Sequence, residues 1–163
     1  MNKRTTASKN PVLEKYLSVL ARCYSGGRFE ELFPLLADDC VFETQWRADP
    51  EVGKDAVMAY FRGKGKTLIA YNACPVCDLI QFIDYCNPIQ NADIEFNGQP
   101  YHGTFMMMYE PDKLALRMRQ RLNGQVNHII VDLTLNEQDQ IRRIDLCMPE
   151  LYRYRVLLMG KEQ

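Results

Sequence analysis

The stretch Phe29-Glu-Glu-Leu-Phe-Pro-Leu-Leu-Ala-Asp-Asp-Cys-Val-Phe-Glu-Thr-Gln-Trp46 decides how this chain is read. Phe29, Leu32, Phe33 and Leu36 recur at helical spacing, whereas Phe42, Thr44 and Trp46 alternate onto one face of a strand. The period switches at Asp38-Asp39. This predicts a short helix over Arg28–Ala37, irregular in its second half because Pro34 lacks a backbone donor and crowds the preceding turn. A strand over Val41–Arg47 follows. After Pro50 the run Gly53–Phe61 returns to helical period, with Val57, Tyr60 and Phe61 as its apolar stripe.

Toward the N-terminus, Asn10-Pro11 reads as an N-cap with proline in the first turn, and Leu13, Leu17, Leu20 and Tyr24 mark one helical face. Gly26-Gly27 ends that helix. Residues 1–9 are polar and expected to fray. The helix begun at Gly53 is expected to stop near Gly63 or Gly65, or to run on through Thr67–Tyr71. Beyond it the pattern predicts strands at Leu79–Tyr85 and near Ile94–Phe96, the latter before an Asn97-Gly98 turn. Strands at Gly103–Tyr109, Leu114–Leu122, Val126–Leu135 and Ile141–Met148 follow, and Leu151–Met159 is a tail, either helical or paired with a neighbour.

Alternation assigns the faces of these strands. Leu114, Leu116, Met118 and Leu122 oppose Arg117, Arg119 and Arg121; Ile129, Val131 and Leu133 oppose His128, Asp132 and Thr134. Ile144, Leu146 and Met148 oppose Arg143, Asp145 and Cys147. The expectation is an antiparallel sheet with an apolar face toward the helices and a charged outer face.

A chain of 163 residues, 47% hydrophobic and 25% charged, fits one domain with a full core. A net charge of -1 gathers no phosphates, so nucleic acid is not an expected partner. No run is long enough to span a bilayer and no export signal is recognised, so a cytoplasmic protein without a membrane partner is expected. The six cysteines then read as free thiols.

Leu35-Leu36-Ala37-Asp38-Asp39-Cys40-Val41-Phe42, then Gly53 to Phe61, then Asp139-Gln140-Ile141-Arg142-Arg143-Ile144 together resemble the nuclear transport factor 2-like superfamily, and within it the SnoaL-like cyclases and ketosteroid isomerases. The resemblance implies a single α+β domain over 1–163, with N-terminal helices packed on a strongly curved, largely antiparallel sheet in a cystatin-like cone. It also implies an interior pocket and a homodimer packed through the outer sheet face, where Arg117, Arg119, Arg121, Asp132 and Asp145 would supply both signs of charge. The fold hosts enzymes, binding proteins and transport factors alike. Ketosteroid isomerase chemistry uses an aspartate base with a tyrosine and a protonated aspartate. Counted from Ala37-Asp38-Asp39, the base position falls on Thr44, which cannot take a proton near neutral pH, and the tyrosine position falls near Leu20. Asp132 lies near the buried-aspartate position, yet its strand's alternation puts it outside the pocket.

The expected ligand site is an apolar pocket walled by Phe42, Thr44, Trp46, Tyr60, Phe61, Met106, Met108 and Met118, suited to a small apolar molecule. His102 is the candidate catalytic residue, at the pocket mouth; His128 is expected to pair with Asp132 or Asp145. Cys74-Pro75-Val76-Cys77 has zinc-knuckle or redox spacing, but a four-ligand set is not evident, so two thiols in a proline turn are the plainer reading and no metal or cofactor is expected. The expected function is small-molecule binding, extending to isomerase, cyclase or dehydratase chemistry. A non-enzymatic dimeric interaction module is the alternative.

Overall fold

The computed structural model describes residues 10–84, 88–106, 109–122, 124–149 and 156–159. Its first helix, α1 (Pro11–Gly26), starts where the Asn10 side chain accepts a hydrogen bond from the Leu13 N–H and ends at Gly27, whose φ of 68° suits a residue without Cβ. The helix expected over Arg28–Ala37 is replaced by a turn and one 3-10 turn at Phe33–Leu35. With no N–H on Pro34, β1 takes over at once, running from Leu36 to Thr44. Among the described residues one α-helix therefore precedes the first strand. The apolar spacing that reads as helix is satisfied piecewise, with Phe29, Leu32 and Phe33 buried from the turn and Leu36 buried from the strand.

β2 (Glu51–Val52) pairs with β1, and α2 runs from Lys54 to Ala70, straight through Gly63 and Gly65. Gly65 is there for packing: a Cβ on it would sit 2.4 Å from the Gly27 carbonyl oxygen. The remaining strands are β3 (Val76–Phe82), β4 (Pro88–Phe96), β5 (Gln99–Met106), β6 (Leu114–Leu122), β7 (Gln125–Leu135), β8 (Ile141–Pro149) and β9 (Val156–Leu158). The strand expected at Gly103–Tyr109 instead starts at Gln99, because Asn97-Gly98 turns β4 tightly back into β5.

The sheet is mixed. Its main path is β2-β1-β8-β7-β6-β3-β9, with β1 parallel to β8 and its other neighbours antiparallel. The β4–β5 hairpin joins through Pro88 and Ile89, which pair with the end of β8 beyond β1. Both helices pack against the sheet, burying Leu17, Leu20, Tyr24, Phe61 and Leu68 with Leu116, Met118, Val131, Leu133 and Ile144. No helix among the described residues is long and apolar enough to cross a membrane.

The outer face is less simply charged than the alternation suggests. Ile80, Phe82, Tyr109, Ala115, Ile130 and Cys147 form a second buried apolar cluster, with Val156 and Leu158 of β9 packed on it. Asp132 and Asp145, expected on an exposed charged face, are buried as well. Arg117 and Arg119 both reach Asp78 at 3.1 Å, so these charges are paired within the chain.

Candidate acid–base site

The alternation that sends Phe42 and Thr44 of β1 toward the helices sends Glu43 to the opposite face. Parallel pairing then sets Glu43 beside Asp145, and Val41 beside Arg143. Arg143 Nη2 donates to Glu43 Oε1 at 2.7 Å and to Asp145 Oδ1 at 3.0 Å, bridging two carboxylates that are each 3% exposed. In the antiparallel pair on the other side, Asp132 of β7 lies opposite Asp145, and its Oδ1 is 2.9 Å from Lys113 Nζ. Three carboxylates and two cations are thus drawn under one face, an excess of one acid.

Burial pushes the Asp145 carboxyl up to about 6, and the charges of Asp132 and Glu43 add to the rise, while Arg143 opposes it. Burial raises Asp132 too, against the pull of Lys113. Burial lowers the Arg143 guanidinium, but its bonds to Asp145 and Glu43 more than reverse this, so Arg143 stays charged. The tuned groups are therefore carboxyls, both shifted toward holding a proton.

His102 reaches this cluster from β5. Its Nδ1 is 2.7 Å from Asp93 Oδ1, and its Nε2 is 3.4 Å from Glu43 Oε2, an oxygen that has no hydrogen bond among the described residues. The imidazole is exposed and joins a solvent-facing aspartate to a buried glutamate. Beside the cluster, Tyr109 and Cys147 touch at 3.6 Å, and burial drives the Tyr109 phenol well up. The face thus offers an acid–base group, two fixed cations and an apolar shoulder.

No protein-family model matches the chain, and no curated protein matches it.

The residues expected to wall a pocket are divided. Phe42, Thr44, Phe61 and Met118 are buried on the helix side. Tyr60 is half-buried, stacked on Phe42 at 4.4 Å and capped by the Arg47 guanidinium. Trp46 is 52% exposed rather than inward, because β1 stops at Thr44 and the Arg47 N–H bonds back to the Thr44 carbonyl, turning the chain away. Met108 lies outside the described residues, and of Met106 the backbone alone is described, at the end of β5 opposite Ile89. Tyr24, Phe29, Phe42, Tyr60 and Phe61 form a continuous set of ring contacts at 4.4–6.3 Å that fills the space between helices and sheet. Within it the Tyr24 hydroxyl is buried without a hydrogen-bond partner among the described residues.

Two grooves lie elsewhere. One of about 330 Å³ is lined by Arg28, Phe33, Arg62, Lys66 and Ile69; the other, of about 320 Å³, by Cys74, Val76, Arg119 and Val126. His128 neighbours Arg117, Arg119 and Asp78 rather than Asp132 or Asp145, since β7 pairs it with Arg119. Burial pushes the Cys77 thiol up to about 11, with only Ser25 opposing, the reverse of what a redox dithiol needs. Among the described residues no group of three or more His, Cys, Asp or Glu is placed to hold a metal.

Alternation alone marks the outward register of Glu43, Asp132, Arg143 and Asp145. Their convergence needs the β1–β8 pairing, which no local pattern carries. Glu43 was legible only as the polar residue between Phe42 and Thr44.

Proposed function

We propose that the chain is a nuclear transport factor 2-like protein of the SnoaL-like kind, a conical, dimeric, cytoplasmic domain that binds a small molecule. It acts on that molecule by proton transfer, as isomerases and dehydratases do. What supports the reading of the fold is the order of elements: helix, strand, short return strand, helix, then a meander whose last strand lies back against the first. The observation that carries the reading of the activity is the buried Glu43–Arg143–Asp145 bridge facing Asp132, with its excess acid and raised carboxyls.

In this reading Asp145 takes and returns a proton α to a carbonyl, the task for which a carboxyl near 6 is matched at neutral pH. Arg143 and Lys113 stabilise the oxyanion that develops. The substrate is a small, mostly apolar molecule bearing one carbonyl group. The rings between helices and sheet are core, which moves the reactive centre to the opposite face from the pocket the sequence suggested.

Deuterium exchange from heavy water into a panel of small enolisable ketones, followed by NMR, tests this. The expected result is exchange into at least one ketone, slowed a hundredfold or more in folded Asp145→Asn. Undiminished exchange in that variant, or none with any ketone, overturns it. The interaction-module alternative draws on the filled interior, and it gains if Asp145→Asn is simply more stable.

A further inference from the structure

β5 is an edge. It pairs with β4 on one side, and no described strand pairs with its other side, so alternate residues, Pro100, His102, Thr104 and Met106, turn their backbone groups outward while Gln99, Tyr101, Gly103 and Phe105 bond β4. Natural edges are blunted by charge, yet Gln99–Met106 contains no lysine, arginine, aspartate or glutamate. Of its two titratable side chains, Tyr101 and His102, the imidazole is turned to Asp93 and Glu43. The opposite face of the hairpin is apolar and open: Ile94 pairs with Tyr101, Phe96 lies two residues on, and all three are exposed, Phe96 by 62%. Asn97-Gly98 holds this face in a tight hairpin.

We infer that β5 is the interface at which this chain pairs with a second copy of itself, edge to edge and antiparallel about a two-fold axis near Gly103. Three observations select a second copy as occupant. A strand without like charges meets its own image with no repulsion, which an isologous contact requires. Pro100 has no N–H to give, so the ladder centres on the outward backbone groups of His102 and Thr104, and the residue between them is Gly103, where the absent side chain lets two backbones approach. A two-fold perpendicular to the sheet keeps like faces together, so Ile94, Phe96 and Tyr101 of both copies merge into one apolar strip. The meander's outer face is a poorer interface, because Asp132, Asp145 and Asp78 are already paired with Lys113, Arg143, Arg117 and Arg119 of their own chain. The strip lies on the side of the hairpin away from His102, so this inference stands apart from the proposed chemistry.

Light scattering of the full chain at micromolar concentration, joined to amide hydrogen exchange at several dilutions, tests it. The expected result is a mass near twice 19.0 kDa, with residues 101–105 losing protection as the dimer is diluted. Tyr101→Lys is expected to give a folded monomer. A monomer throughout overturns the inference, as does a dimer whose 101–105 exchange ignores dilution. Protection of 101–105 that appears only when another protein is added also overturns it, and assigns the edge to that partner.

Discussion

Asp145 ties the site to the stability of the whole chain. Its folded carboxyl titrates at about 6 against an ordinary value of 3.8, so between those pH values the native state holds a proton that the unfolded chain has released. The associated stability is complete below about pH 4 and is lost as pH rises through about 6. Asp132 shifts in the same direction and adds to the trend. Denaturant unfolding is expected to show a fall on the order of 2–3 kcal/mol across that window, and Asp145→Asn is expected to flatten it. At Cys77 the raised thiol makes the opposite kind of prediction: alkylation stays slow at pH 8 and accelerates only toward pH 11, as peptide mass mapping would read.

Among elements, the α1–α2 crossing turns on one glycine. Gly65→Ala places a methyl group against the Gly27 carbonyl, a rigid neighbour, and is expected to cost about 2–3 kcal/mol in denaturant unfolding. The hairpin turns on His102. In His102→Ala, amides of 93–103 are expected to exchange faster while those of α1 do not change, since the imidazole bridges β4 and β5 to β1. The elements themselves were largely legible. Period-two alternation located β6, β7 and β8 to within a residue or so, and Asn-Gly marked the turn between β4 and β5. Gly63 and Gly65 misled because a glycine inside a helix reads as a stop when its purpose is close approach. The Arg28–Ala37 stretch misled because apolar residues three and four apart satisfy a turn followed by a strand as well as a helix.

At the scale of the whole molecule the two-sided core decides stability. Val156 and Leu158 cover Ile80, Phe82 and Ile130, so a chain ending at residue 155 is expected to melt earlier and to bind a dye for exposed apolar surface. That second cluster was in principle legible, since Ile80, Phe82, Ala115, Ile130 and Cys147 occupy outward registers without charge. What hid it was the arginine-rich run of β6, which makes the outward face read as charged throughout. Alternation put Asp132, Arg143 and Asp145 on the outer face, but their convergence with Glu43 was not legible, because Glu43 and Arg143 meet only through a pairing across 100 positions.

That pairing sets an order of events during synthesis. β1 leaves the ribosome early, but its long neighbour in the sheet is β8, and translation at about 5–20 residues per second separates them by roughly 5–20 s. For that interval the nascent chain carries a strand with an unmatched side, while α1 and α2 already have apolar faces to cover. Strand closure waits until β8 has been made, and a holding chaperone that shields Leu36–Thr44 would act on the nascent chain rather than on the finished one.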